Sequence, residues 1–333
     1  MPTTRYMGSK YKLLDFIWDS VSHLEFNSVL DAFSGTGCVG YMFKAKGKKV
    51  TTNDMLKYSF HNAKSVIENN EVTLTDKDID MLLNARVLTD KFIRKTFKDL
   101  YFSQPDYLFL EEVFERIKTL DCSYKKSLAI ASLCRACVKK RPRGLFTYVG
   151  DRYDDGRKDL MLTMQEQFIA ATDVLNGAVF SNQNKNESHC SDIFDLNLAP
   201  HDLVYIDPPY CSTKSDNDYL RRYHFVEGLC SYWKEDEIDY KTKTRKIKSK
   251  KTGFKSAKEI YESFDRLFAK YPESILAVSY SSNSLPTKDE MLELLSKHKK
   301  NVDVKELDYT YYFANSASDL SGNRVKEYLF TAY

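Results

Sequence analysis

Two blocks of alternating strand and helix, separated by a long helical stretch, set the frame for this chain. Residues 12–21 read as a helix and 28–32 as a short apolar strand; a glycine-rich turn and a helix follow, and 49–52 reads as a second strand. That succession is the pattern of a doubly wound parallel sheet. Between about 75 and 177 strand signals fade, and helical periodicity takes over at 78–88, 107–120, 125–138 and 160–175. Strands return at 203–206 and 275–280, followed by a helix over 288–297 and closing strands over 302–313 and 328–333. The sequence therefore predicts one α/β sheet domain, 1–75 and 177–333, split by a helical insert, 76–176.

Composition narrows the class. A chain of 333 residues, 42% hydrophobic and 14% aromatic, can bury a sizeable core. No apolar run reaches the length of a membrane span, and Met1-Pro2-Thr3-Thr4-Arg5 leads into no signal-peptide core. Seven scattered cysteines form no disulfide framework and read as reduced thiols, so a cytoplasmic protein is expected. Cys134 and Cys137 are better explained as packed helix-face thiols than as half of a zinc site, and no metal is expected. The net charge is only +3, but it is unevenly spread: 240–258 carries nine Lys or Arg and no acid. A second basic stretch holds Lys139, Lys140, Arg141 and Arg143, before the β-prone 145–149. A basic hairpin or loop near 139–158 fits the Pro and Gly punctuation there. Two such runs suit a polyanion, although each alone also reads as a solvated loop.

Chemistry concentrates at strand ends. Asp31-Ala32-Phe33-Ser34-Gly35-Thr36-Gly37-Cys38-Val39-Gly40 joins the first strand to a helix. Its glycines let the backbone turn sharply and approach a ligand at a helix N-terminus. Gly35, Gly37 and Gly40 also satisfy the dinucleotide fingerprint, but Asp31 would repel a pyrophosphate, and no second nucleotide-binding half follows. An acid here suits the amino group of an amino-acid-bearing nucleoside such as S-adenosylmethionine. Asp31, Phe33, Ser34, Gly35 and Gly37 are thus candidate cofactor contacts. Asp54 closes the second strand, where a carboxylate accepts ribose hydroxyls or caps the next helix. Asp192, after a weak strand signal, is a softer candidate for the adenine amino group.

Asp207-Pro208-Pro209-Tyr210 follows the apolar strand 203–206 directly. Consecutive prolines fix φ and withhold N–H groups, so the Asp207 carboxylate and the Pro208 carbonyl become rigid acceptors. Two fixed acceptors match the two protons of an exocyclic amine, and Tyr210 offers a face on which a planar base stacks.

These residues resemble the Dam-type, alpha-group family of adenine-specific DNA methyltransferases. The likeness runs from Arg5-Tyr6-Met7-Gly8-Ser9-Lys10 through the Asp31 loop to Asp207-Pro208-Pro209-Tyr210 and the trailing Arg222-Tyr223-His224-Phe225. It implies a Rossmann-like S-adenosylmethionine-dependent fold whose helical insert is a target-recognition subdomain. It also implies methyl transfer to N6 of a flipped adenine in double-stranded DNA, with Asp207, Pro208, Pro209 and Tyr210 catalytic. Tyr6 and Lys10 are then expected to border the cofactor, the plainer reading of Lys10 being an exposed helix-start cation. Lys139, Lys140, Arg141 and Arg143 resemble a DNA-contacting hairpin, with Arg141 and Arg143 candidates for guanine or phosphate contacts. A restriction-modification setting with a cognate endonuclease is the expected context. Cytosine N4 methylation, RNA methylation and a catalytically silent DNA-binding subunit are the rival readings.

Overall fold

The computed structural model describes residues 1–4, 6–150, 156–211, 218–250, 252–311 and 323–333. Arg5, Lys251, residues 151–155 of the expected basic hairpin, and the last two positions of the strand expected over 302–313 lie outside them. In chain order the first elements are α1 (Leu14–Val21), β1 (Ser28–Asp31), α2 (Cys38–Ala45), β2 (Lys49–Asp54) and α3 (Lys57–Ala63). The helical stretch supplies α4 (Asp76–Asn84), α5 (Phe92–Thr96), α6 (Gln104–Ile117), α7 (Ser123–Lys139), the single turn α8 (Lys158–Met161) and α9 (Met164–Asn176). Then come β3 (Glu187–Cys190), β4 (Leu203–Ile206), α10 (Tyr219–Ser231), α11 (Ile260–Lys270), β5 (Ile275–Ser281), α12 (Lys288–Ser296), β6 (Val302–Tyr311) and β7 (Asn323–Ala332).

Local chemistry sets many helix starts. Thr75 with Asp78, Ser103 with Asp106, Thr163 with Glu166 and Thr287 with Glu290 each form a reciprocal capping box, opening α4, α6, α9 and α12. Such a cap satisfies two backbone N–H groups that the helix itself leaves without partners.

The chain packs as two compact units. The first comprises Met1–Tyr11, Ser34–Ser191 and Tyr219–Lys250, so the helices of 76–176 group with the glycine loop, β2 and α10. Its strands β2 and β3 run parallel, Thr51 opposite Glu187 and Asp54 opposite Cys190. Helix α7 is central here and packs on α3, α6, α9 and α10. It is buried almost all round because small residues, Ala129, Ala131, Ser132, Ala136 and Cys137, alternate with Leu128 and Leu133. Cys134 Sγ lies 3.7 Å from Cys230 Sγ of α10, both buried as packing thiols.

The second unit comprises Lys12–Phe33, Asp192–Asp218 and Lys251–Tyr333. Its strands take the order β1-β4-β5-β7-β6. β1, β4 and β5 are parallel neighbours, while β7 pairs antiparallel with β5 and β6. All four residues of β4 are buried, as expected of a strand covered on both faces. Leu203, Val204 and Ile206 each contribute about 1.5–3 kcal/mol by that burial. Phe264, Leu267 and Phe268 of α11 and Met291 and Leu295 of α12 complete this core. Among the described residues no helix is long and apolar enough to cross a membrane. The α/β class expected from the sequence is the one these elements form.

Candidate active site

In the first unit the glycine loop is a tight turn onto β2. Ser34 N–H donates to the Asn53 carbonyl at 2.8 Å, and Gly37 N–H donates back to the Ser34 carbonyl at 2.7 Å. Gly35 and Gly37 have φ of +49° and +76°, left-handed conformations that a side chain would strain. A Cβ on Gly35 would sit 3.5 Å from the Tyr6 ring, and one on Gly37 would sit 3.2 Å from Ile67 Cδ1. Gly37 caps α2, so the turn delivers the chain directly into a helix N-terminus.

Asp54 locks this turn: its carboxylate accepts Gly35 N–H at 2.8 Å and Leu56 N–H at 2.9 Å. Burial raises its pKa to about 6, against the pull of those N–H groups. The carboxylate therefore fixes the loop and, through Leu56 N–H, orders the approach to α3; of the two roles read from the sequence, ribose contact and helix cap, this geometry bears on the second.

Tyr6 stacks on Tyr223 of α10, with centroids 4.7 Å apart and rings 8° from parallel, and on Tyr219 at 5.6 Å. Burial, then the neighbouring Asp54, Tyr219 and Tyr223, hold its phenol well above the usual range. The Tyr223 hydroxyl accepts Met7 N–H at 2.8 Å. One turn further along α10, the buried Glu227 accepts Lys57 N–H and Tyr58 N–H, each at 3.0 Å, and so caps α3. Burial pushes Glu227 up to about 7. Tyr219, Tyr223 and Glu227 were missed as site-building residues, although their spacing of four marks one helix face. Lys10 is not the surface cation of its plainer reading: it is 4% exposed, with Nζ 3.4 Å from the Gly8 carbonyl.

In the second unit Asp31 is 1% exposed at the end of β1. Beyond it, Ala32 N–H continues the ladder to the Tyr205 carbonyl at 3.0 Å. Phe33 meets Phe254 edge-on at 5.1 Å, and Phe194 stacks on Phe254 at 6.0 Å and 3°. Asp192 Oδ1 accepts Phe194 N–H at 2.9 Å, which ties the acid to that aromatic group. Asp207 is half-buried at the carboxyl end of β4, and Pro208 is buried. The Tyr210 hydroxyl donates to Glu327 of β7 at 3.2 Å, and its ring packs edge-on against Tyr280 at 4.9 Å. Glu327 is 1% exposed and was also missed. Its signal was strand alternation, since it shares a face with Val325 and Leu329.

The basic corner departs from expectation. No strand forms at 145–149; Pro142–Gly144 is a short 3-10 turn instead. Arg141 is fully buried and donates to the carbonyls of Tyr148 at 3.0 Å, Gly150 at 3.2 Å, and Leu145 and Tyr101 at 3.4 Å each. Its guanidinium also lies 4.7 Å from the Tyr148 ring centre. Arg141 is therefore a structural clamp and not a DNA contact. Lys139 pairs with Asp159 at 3.2 Å, and Lys140 lies 3.7 Å from Asp106, while Arg143 is half-buried with φ of +57°.

The residues at the glycine turn fit S-adenosylmethionine. Ser34 Oγ is buried, and among the described residues it has no hydrogen-bond partner, so it is a polar atom left for a ligand. Gly35 faces the Tyr6 ring across a gap that a Cβ would fill.

Comparison with known proteins agrees with this chemistry. Residues 6–283 match the family model for D12 class N6 adenine-specific DNA methyltransferases. The type II methyltransferase M2.HphI of Haemophilus parahaemolyticus is 27% identical over 325 residues, covering 93% of this chain and 92% of that protein. M.CviAII, a type II methyltransferase of Paramecium bursaria Chlorella virus 1, is 25% identical over 355 residues, covering 98% of each. Modification methylase LlaI of Lactococcus lactis subsp. lactis is 25% identical over 345 residues, but the match covers only 52% of that longer protein. With its acid-proline motif closing a buried parallel strand and a glycine turn ordered by Asp54, the chain belongs to the D12 class of N6 adenine-specific DNA methyltransferases, enzymes that use S-adenosylmethionine.

Proposed function

We propose that this methyltransferase modifies adenines at a specific site in double-stranded DNA as the protective arm of a restriction-modification system, acting in the cytoplasm beside a cognate endonuclease. The names of its relatives support that setting, since M2.HphI and M.CviAII are type II methyltransferases. For the chemistry, the observation that carries most weight is the rigid end of β4. There the half-buried Asp207 precedes the buried Pro208, and Tyr210 is braced by Glu327 and Tyr280.

In this reading the target adenine leaves the duplex and stacks on Tyr210. Asp207 and the Pro208 carbonyl accept the two N6 protons, while Pro209 keeps the turn stiff. Holding both protons in fixed hydrogen bonds turns the nitrogen lone pair away from the ring and toward the methyl donor. When bound, S-adenosylmethionine supplies an electrophilic sulfonium methyl group. The methylated nitrogen then gives up its surplus proton to Asp207 or to water. Holding two reactants in attack geometry can lower a barrier by up to about 7–11 kcal/mol.

The cofactor-holding roles are assigned residue by residue. Asp31 meets the amino group, Ser34 and the Gly35–Gly37 turn meet the amino-acid end, and Tyr6 and Lys10 border it. Asp54 takes the ribose, and Asp192 with Phe33 takes the adenine. Segment 76–176 serves target recognition, with Arg143, Lys139 and Lys140 as its basic contacts. The test is expression of the protein, and separately of Asp207→Ala, in cells lacking adenine methylation, followed by nucleoside mass spectrometry of DNA and RNA. N6-methyladenine in DNA that disappears with the variant supports the assignment. Methylcytosine, modified RNA, or methylation surviving in Asp207→Ala would overturn it.

A further inference from the structure

We propose that residues 237–248 form a preorganised DNA-contacting hairpin in which Lys241 and Lys243 take phosphates and the exposed Tyr240 ring stacks on an opened base. The inference rests on the reading above that duplex DNA is the substrate.

In the sequence this segment is only the start of a lysine-rich run. In the structure it is closed: Asp239 N–H donates to the Lys246 carbonyl at 2.7 Å, and Lys248 N–H donates to the Glu237 carbonyl at 2.9 Å. Ile238 and Ile247 pair as an antiparallel bridge, and Ile247 is 2% exposed. The far side is pinned as well, because the buried Tyr101 hydroxyl donates to the Thr244 carbonyl at 2.5 Å. The root is held by Asp236, whose carboxylate accepts from Lys57 Nζ at 3.1 Å and Ser231 Oγ at 3.0 Å. Lys57 opens α3, three residues beyond Asp54, so the hairpin is tied to the strand end that carries the ribose-binding candidate.

What the hairpin presents is unusual for a loop pinned so firmly. Tyr240 is 59% exposed. Arg245, with φ of +53°, bonds the Tyr240 carbonyl and sets its guanidinium 5.3 Å from the ring centre, which holds the ring in place. Lys248 is matched by Glu237. Lys241 and Lys243 are exposed, and among the described residues neither has an ion-pair partner. A fixed aromatic face beside unmatched cations is the combination that binds nucleic acid by stacking and phosphate contact. Because the hairpin is already ordered, little conformational entropy is lost on binding.

The test compares wild type with Lys241→Gln/Lys243→Gln, Tyr240→Ala and Tyr240→Phe. Binding to a short fluorescein-labelled duplex is measured across a salt series, and methyl incorporation is measured on adenine-unmethylated genomic DNA. The double lysine variant is expected to flatten the slope of log K against log salt by about 2. Tyr240→Ala is expected to lower kcat/KM for DNA about tenfold, with Tyr240→Phe near wild type. KM for S-adenosylmethionine and thermal midpoint should not move in any of them. Unchanged slope and kcat/KM beside an active wild type would overturn the hairpin assignment alone. A wild type that neither binds nor methylates duplex DNA would overturn the substrate reading beneath it.

Discussion

Arg141→Ala separates two readings of the same basic run. If Arg141 were a base or phosphate contact, its loss would weaken DNA binding and leave the fold intact. The structure gives the opposite expectation, because the guanidinium is fully buried and satisfies backbone carbonyls of Tyr148, Gly150, Leu145 and Tyr101. The two shorter bonds, at 3.0 and 3.2 Å, decide the magnitude. Each hydrogen bond to a charged group contributes about 1.5–3 kcal/mol, and truncation also leaves buried carbonyls without donors. A loss of about 4 kcal/mol follows, a large part of the 5–15 kcal/mol that holds a typical domain together. At about 2 °C per kcal/mol for a chain this long, the thermal midpoint should fall by about 8 °C. Arg141→Lys, which keeps the charge but not the fork, should recover only part of that. Differential scanning fluorimetry read beside DNA binding at two salt concentrations makes the test. A midpoint unchanged in Arg141→Ala, together with weakened DNA binding and a flatter salt dependence, would refute the clamp.

Asp207→Ala should abolish methylation while leaving S-adenosylmethionine affinity by calorimetry largely intact; lost cofactor binding would contradict the assigned role. For Asp54, raised to about 6 by burial, the ionised form proposed to take the ribose hydroxyls is depleted as pH falls through 6. Cofactor affinity should then drop toward tenfold per pH unit below that point, and Asp54→Asn should bind weakly at every pH with no such step. Glu227 tests linkage in the stability of the fold. Its folded pKa, about 7, lies above the 4.5 of an ordinary glutamate, so between those values the native state binds more protons than the unfolded chain. Stability from this group therefore rises as pH falls from 7 toward 4.5, by about 3 kcal/mol, and is lost as pH rises through 7. Denaturant titrations of wild type and Glu227→Gln across that window should differ by this slope, and parallel pH profiles would count against it.

Part of this molecule is legible residue by residue because its chemistry is local. The glycine turn needs positive φ at Gly35 and Gly37, and the sequence supplies glycine there. Pro208 and Pro209 carry their rigidity in their own rings and, with Asp207, follow a strand whose four apolar residues announce burial on both faces. Capping boxes such as Thr75 with Asp78 are equally short-range. Periodicity alone marks the division of the chain at 76 and 176, and periodicity does not say which surfaces pack. The helices of that stretch lie in one compact unit with the glycine loop because α7, buried over Ser127–Cys134 and Ala136–Val138, is covered by α3, α6, α9 and α10.

Charge was the least legible property, for a physical reason. A run of cations looks the same whether it is solvated, paired or buried, since what decides among these is the partner, and the partner is remote in sequence. Arg141 is inside because the carbonyls of Tyr101 and of the Leu145–Gly150 turn need a donor there. The hairpin of 237–248 is ordered because Tyr101 reaches Thr244 from far upstream and Lys57 holds Asp236. Tyr101 is thus the common support of both basic segments: its carbonyl accepts from Arg141, and its hydroxyl donates to Thr244. That hydroxyl also lies 3.0 Å from His224 Nε2, within the Arg222-Tyr223-His224-Phe225 stretch that trails the acid-proline motif. The one residue that supports both cationic segments is therefore neutral and buried. A search for DNA contacts guided by charge alone selects Arg141, which the fold consumes, and passes over Tyr101, which holds the exposed cations in place.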